Sequence, residues 1–271
     1  NIKVKEVLSI KCDLNLFISE LNNSLSKFDY KFDFTSWIDK INNYKTMYPS
    51  YEYHKDTNEI DPNEFMNKIS EMLHPNSIIC LDIGQNQIWA SQSLKLKKSQ
   101  RLLNAGGMGP MGFGLPAAIG AWYARSNYKV VTITGDGGIQ MNIQELQTIA
   151  REKIPIKIII MNNKALGMIR HFQEMYFESN YYGTIEGYSA ANFMKISEAY
   201  GIKLLKISNE SQMNELKEKL NDDQSYVIEV ELKNITYVVP KLGMGRPIED
   251  QEPLLGRNQL EENMIIDMYK S

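Results

Sequence analysis

Short apolar runs alternate with segments of helical spacing along most of the chain. Ile78 to Asp82, Lys129 to Thr134, Ile156 to Met161, Ile202 to Leu205 and Tyr226 to Leu232 are dense in Ile, Val and Leu. Nearly continuous apolar runs of this length mark strands covered on both faces. Between them, apolar residues recur three and four apart: Asn63 to Leu73, Gln85 to Ser93, Leu115 to Ala124, Asn142 to Arg151, Ser189 to Tyr200 and Glu210 to Leu220. Strands alternating with helices predict an α/β chain, a three-layer α/β/α sandwich around a central, mostly parallel sheet.

The pattern changes at both ends. Ile2 to Ile10 alternates like a strand, and Leu14 to Leu25 has helical spacing. Residues 28–60 are polar and aromatic, with a helix expected from about Thr35 to Met47, capped by Thr35 or Asp33 and stopped by Pro49. Asp61-Pro62 then opens the main helix-and-strand region, the acid as cap and the proline in the first turn. The organisation expected is a tail of a preceding domain (1–27), an interdomain linker (28–60), the main domain (61–240) and an extension (241–271). Gly243 to Leu255 carries too much Gly and Pro for a regular element, and Gln259 to Tyr269 is the candidate for a last helix.

Composition narrows the function classes. A chain of 271 residues with 43% hydrophobic content can bury one large core. A net charge of -3 gives no field that would recruit nucleic acid or an anionic membrane. Few basic residues interleave with the aromatics of 28–60, so packing explains them better than a nucleic-acid platform. No apolar stretch approaches the roughly 18 residues that span a bilayer. Cys12 and Cys80 stand far apart, which favours a reduced, cytoplasmic protein, with Cys80 an inert thiol in an apolar strand. His54 and His74 read as surface residues, and no His/Cys spacing suits a transition metal.

The candidate chemistry sits at the ends of the predicted strands. Gly135-Asp136-Gly137-Gly138 follows one strand, and Asn162-Asn163 follows the next. In a parallel sheet both tips lie on one edge. A hard cation there takes one oxygen from Asp136 and one from Asn163, and a ligand diphosphate supplies others, a sparse oxygen set that suits Mg2+. Gly84, followed by Gln85 and Asn86, opens a helix, and so do Gly137 and Gly138; such helix starts attract anions. Gly107 to Gly112 has the spacing of a dinucleotide fingerprint but follows no convincing strand, and no Gly-Lys-Ser/Thr supports a P-loop.

Taken together, the blocks Gly84 to Ala90, Gly106 to Gly120, Gly135 to Gly138 and Asn162 to Met168 resemble, in order and spacing, the C-terminal thiamine-diphosphate-binding domain of acetolactate synthase-like enzymes, from about Asp61 to Pro240. The resemblance implies thiamine diphosphate held by Gly84, Gln85, Asn86, Gly109, Met111, Gly135, Asp136, Gly137, Gly138, Asn163, Ala165, Gly167 and Met168. It implies Mg2+ on Asp136, Asn163 and the Ala165 carbonyl. Met111 would be the apolar wedge that bends the cofactor, the Gly109 carbonyl would accept from its amino group, and Met168 would pack near its thiazolium. Met168 read by itself is equally a core methionine.

The same resemblance implies a 2-oxo acid substrate such as pyruvate, loss of CO2 and transfer of a two-carbon unit to an acceptor carbonyl. The alternatives are a simple 2-oxo acid decarboxylase and a non-catalytic assembly module of the same fold. It further implies a homo-oligomer, dimer or tetramer, with active sites between subunits. A glutamate from a neighbouring subunit's N-terminal domain would complete the site, so a C-terminal fragment alone is expected to be silent. Whether a preceding central domain binds FAD stays open. Acetolactate synthases carry a Trp where this chain has Phe172, a residue that helps select the second 2-oxo acid. Arg170 and His171 read as an exposed helix face that a substrate carboxylate could approach.

Overall fold

The structure, a computed structural model, describes residues 8–28, 32–51, 59–233 and 235–268. The chain divides into two compact units, Asn1–Pro49 and Ser50–Ser271. Among its described residues the first holds two helices, α1 (Leu14–Leu25) and α2 (Thr35–Met47). Asp13 caps α1 through its carboxylate, and Asp33 receives the N–H and hydroxyl of Thr35 at the start of α2. The alternation at Ile2 to Ile10 lies largely outside the described residues, and Leu8 to Ile10 is irregular.

The second unit is an α/β/α sandwich. It opens with α3 (Pro62–Met72), whose first turn is closed by Asp61 accepting from the Glu64 N–H at 2.8 Å. Then follow β1 (Ser77–Leu81), α4 (Gln85–Ser93), β2 (Arg101–Asn104), α5 (Gly114–Ala124), β3 (Lys129–Gly135), α6 (Asp136–Gln140), α7 (Leu146–Glu152), β4 (Ile156–Asn162) and α8 (Gly167–Tyr176). The sandwich is completed by α9 (Phe193–Ala199), β5 (Lys203–Ile207), α10 (Met213–Asn221) and β6 (Tyr226–Glu231). All strand pairs of the six-stranded sheet, in the order β2-β1-β3-β4-β6-β5, are parallel.

Alternate strand residues feed two separate cores. Ile79, Leu81, Ile133, Ile159 and Ile228 face α3, α4 and α10 through Phe65, Ile69, Trp89 and Leu216. Ile78, Cys80, Val130, Ile158 and Ile160 face the other layer through Leu115, Ala118, Ile139, Ile149 and Phe193. Each fully buried aliphatic side chain contributes about 1.5–3 kcal/mol, so these two layers dominate the stability of the unit. Burial pushes the Cys80 thiol up to about 12, which makes it the inert core thiol expected. Among the described residues no helix is long and apolar enough to cross a membrane.

Several details differ from the pattern reading. Strand β2 was not expected, because Arg-Leu-Leu-Asn is short and largely exposed and pairs only with β1; a strand therefore does precede the glycines at 106–112. The helix expected at Asn142 to Arg151 is a 3-10 turn (Ile143–Glu145) leading into α7, and a similar turn (Glu210–Gln212) precedes α10. The helix expected from Ser189 begins only at Phe193, where the Asn192 side chain caps it. In the extension, β7 (Lys241–Leu242) pairs antiparallel with β8 (Gln251–Glu252), so the Gly- and Pro-rich stretch does contain a short regular element. The last helix, α11, is confined to Arg257–Asn263.

Candidate active site

Strand β1 is followed by a helix on one face of the sheet, and its neighbour β3 by a helix on the other. The two connections diverge and leave a crevice at the carboxyl ends of the strands, the usual ligand position in open parallel sheets. Asn86 closes its floor, donating from Nδ2 to the carbonyls of Asp82 (3.1 Å) and Ile133 (3.2 Å) and so tying the ends of β1 and β3 together.

A cavity of about 330 Å³ occupies this crevice. Every residue expected to hold the cofactor lines it: Gly84, Gln85 and Asn86 after β1; Gly109 and Met111 in the loop before α5; Gly135, Asp136, Gly137 and Gly138 after β3; Asn163, Ala165, Gly167 and Met168 after β4. The β3–β4 register explains the convergence from the last strands. Gly135 stands opposite Met161, so Asp136 and Asn163 follow neighbouring strand ends.

Asp136 is 1% exposed. Its side-chain partner is the Tyr188 hydroxyl, which donates to Oδ2 at 2.9 Å. Burial pushes the carboxyl up to about 6, against the opposing pull of that hydroxyl and of local backbone N–H groups. In turn the Tyr188 hydroxyl is pushed up, by burial first and then by the adjacent carboxylate. Asn163 is also buried; its Nδ2 donates to Gln85 Oε1 (3.1 Å) and Thr236 Oγ1 (2.8 Å), and its Oδ1 accepts from the Ala165 N–H at 3.2 Å. The Ala165 carbonyl accepts from the Gly167 N–H at 2.9 Å, which leaves it a second lone pair.

Met111 reaches across the cavity from its loop: a Cβ placed on Gly137 would lie 3.4 Å from the Met111 methyl. At the rim, Met168 is 39% exposed, so it is not a core methionine. Gly138 packs so closely on β1 that a Cβ there would meet Asp82 Oδ2 and come within 2.8 Å of Thr134 Oγ1.

Arg170 and His171 do not form an exposed face. Arg170 is completely buried, pairs with Glu174 at 2.7 Å, donates to the Thr236 carbonyl at 2.6 Å and lies over the Tyr237 ring. The N-terminal part of α8 is roofed by the segment after β6, which its own sequence pattern gave no reason to expect. His171 is buried with its ring edge-on to Tyr237 and Nε2 2.8 Å from Lys241 Nζ; burial, Lys241 and Arg170 lower its pKa. Phe172 packs on Tyr176 and Phe177. His74 is exposed, and among the described residues no cluster of three His, Cys, Asp or Glu could hold a metal.

Three functional candidates escaped the sequence reading. Asp82 accepts from the N–H groups of Ile83 and Gly112 (both 2.8 Å) and from the Thr134 hydroxyl (2.6 Å). Its position at a strand tip before Gly84 is the same signal that marked Asp136. Tyr188 and Thr236 sit on irregular segments, where no periodicity points to them.

A glycine-lined crevice with an acid and an amide at neighbouring strand tips has the chemistry that suits a phosphate-bearing ligand. Comparison with known families makes this specific: the model of the thiamine pyrophosphate enzyme, C-terminal TPP binding domain, matches residues 82–230. The chain belongs to this family of thiamine-pyrophosphate-dependent enzymes. It is 33% identical over 262 residues to the acetolactate synthase large subunit of Lactococcus lactis, covering 95% of this chain and 44% of that protein. It is 35% identical over 240 residues to the probable acetolactate synthase large subunit of Methanococcus aeolicus, with 84% and 40% covered. Among solved structures, the thiamine diphosphate-dependent 4-hydroxybenzoylformate decarboxylase of Rhodococcus jostii RHA1 superposes with a TM-score of 0.59 at 26% identity, over 68% of this chain and 34% of that one. The chain thus spans less than half the length of these relatives.

Proposed function

We propose that the cavity binds the diphosphate of thiamine diphosphate through Mg2+, with Asp136, the Asn163 amide oxygen and the Ala165 carbonyl as the protein's ligands. The donor set supports this: one anion, one amide oxygen and one carbonyl, all hard oxygens at one sheet edge. The observation that carries the reading is Asp136, a buried carboxylate whose side-chain partner is a phenol rather than a lysine or arginine. A divalent ion would supply the missing positive charge.

Gly84 and Gly137-Gly138, at the starts of α4 and α6, bring backbone N–H groups to the diphosphate. Met111 presents its apolar side chain to the rings, and Gly109 offers its carbonyl from the same loop. Gln85, Asn86, Gly135, Gly167 and Met168 complete the walls. When bound, the cofactor supplies an electron sink for a 2-oxo acid that loses CO2.

The activity proposed for the protein carrying this domain is decarboxylation of a 2-oxo acid such as pyruvate, with transfer of the two-carbon unit to an acceptor carbonyl. The similarity to acetolactate synthases over most of the chain supports it. The residues at 61–240 act as the cofactor domain of a homo-oligomer whose sites lie between subunits, and 1–27 and 28–60 as the end of a preceding domain and a linker. In this reading the fragment alone binds cofactor but does not turn over. Titration calorimetry of the chain with thiamine diphosphate, with and without Mg2+, tests the site: Mg2+-dependent binding is expected, and binding indifferent to Mg2+ would discard the ligand set. Where a preparation consumes pyruvate, an acetolactate product supports the transferase; acetaldehyde alone would replace it with a decarboxylase.

A further inference from the structure

Thr236 lies beyond β6 on no regular element, is buried, and is absent from the cavity lining. It nevertheless joins three of the residues that matter. Its backbone carbonyl can only accept, and it takes N–H donors from Gln85 Nε2 at 2.9 Å and from Arg170 Nη2 at 2.6 Å. Arg170 is fully buried and its guanidinium can only donate, so it anchors this carbonyl firmly.

The direction of every other bond follows. With Nε2 committed to a carbonyl, Gln85 turns Oε1 toward the Thr236 hydroxyl, which donates to it at 2.6 Å. A hydroxyl has one proton. Once that proton is given to Gln85, Thr236 Oγ1 has only lone pairs for its other neighbour, the Asn163 amide at 2.8 Å. That neighbour must therefore be the NH2 group, which also donates to Gln85 Oε1 at 3.1 Å. The Asn163 oxygen is turned the opposite way, toward the Ala165 N–H.

We propose that Thr236 is a positioning residue that fixes which end of the Asn163 amide is offered to a cation. An amide binds Mg2+ through oxygen alone, and a flipped amide would aim two N–H bonds at the ion. The fixed carbonyl of Thr236 sets the polarity, and its hydroxyl relays it to Asn163 through Gln85. Gly167 closes the fourth side, since a Cβ there would run into Gln85 Oε1 and lie 2.8 Å from Asn163 Nδ2. The proposal rests on Asn163 being a cation ligand.

The test uses the 271-residue chain with Thr236→Val, which keeps the shape and loses the hydroxyl, and Thr236→Ser, which keeps the hydroxyl. In the metal-free chain, the Asn163 NH2 protons should exchange slowly with solvent in the wild type and in T236S, and fast in T236V. At saturating thiamine diphosphate, Mg2+ affinity should fall about tenfold in T236V and stay within about threefold in T236S, the scale of one lost hydrogen bond. Wild-type Mg2+ affinity in T236V, or equal loss in T236S, overturns the positioning role while leaving the ligand set intact. Absence of Mg2+ binding by the wild type overturns both. Should T236V fail to fold, T236A lacks the same hydroxyl and carries the same expectations.

Discussion

The carboxylate of Asp82 accepts the backbone N–H of Gly112 at 2.8 Å, so the tip of β1 sets the path of the loop that carries Gly109 and Met111. The same side chain takes the Ile83 N–H and the Thr134 hydroxyl. Asp82→Ala would leave the Ile83 and Gly112 N–H groups without this acceptor and the Thr134 hydroxyl with only the longer bond to the Gly135 carbonyl at 3.2 Å. A loss of about 3 kcal/mol is expected from urea unfolding, together with weaker thiamine diphosphate binding. Asp82→Asn keeps the shape and should cost only about 1 kcal/mol, since the Thr134 hydroxyl can reverse and accept. Equal stability of D82A and wild type would deny Asp82 this role.

Gly138 has no room for a side chain against Asp82 and Thr134, whereas a Cβ on Gly107 would meet nothing within 4 Å. Gly138→Ala should therefore destabilise by about 2 kcal/mol, the scale of overpacking, and Gly107→Ala should be near neutral. Thermal unfolding of the pair checks this; matching midpoints would contradict the packing described.

Asp136 gives the cation-free chain a pH dependence with a definite sign. Its folded pKa, about 6, is raised above its ordinary value of 3.8. The folded state therefore holds the proton more tightly, and this contribution is fully present below pH 3.8 and is lost as pH rises through about 6. Asp136→Asn should remove that dependence and make the cation-free chain more stable at pH 8, by about 2 kcal/mol, while abolishing Mg2+-dependent binding. Parallel urea curves for wild type and D136N at pH 4 and pH 8 read the effect; a constant difference between them would contradict it.

At the opposite end of the sheet, Lys157 near the start of β4 is 1% exposed and meets Asp222 Oδ1 at 2.6 Å, with the carbonyls of Asp222 and Gln224 as further acceptors. Burial lowers the Lys157 pKa in opposition to its partner. Asp222→Asn should cost about 3 kcal/mol, because it leaves a buried ammonium without its anion. Thiamine diphosphate affinity of the folded protein should be unchanged, since the pair lies far along β4 from Asn163. A fall in affinity without a fall in stability would be the contrary result.

The fold was readable because its strands are apolar on both faces. Ile156 to Met161 admits little but a central strand, and β4 is buried throughout. Edge strand β2 escaped because its exposed Arg101 and Asn104 carry no such pattern. The cavity was readable because glycines, Asp136 and Asn163 sit at strand tips, a place that sequence order alone defines. Asp82 could have been found by the same rule. Thr236 could not: it reaches Asn163 only through tertiary packing of a segment with no periodicity. Arg170 differs from the exposed position expected for the same reason, since the face of α8 that carries it is covered by that segment, while Ile169 and Phe172 on the other side stay exposed.

The most direct measurement is a crystal structure of the chain grown with thiamine diphosphate and Mn2+, which stands in for Mg2+ and gives an anomalous signal. A single peak about 2.2 Å from Asp136 and from Asn163 Oδ1, bridging to the diphosphate, is the predicted result. Diphosphate bound in the cavity with no peak between those two side chains, or a peak on other residues, would contradict the account.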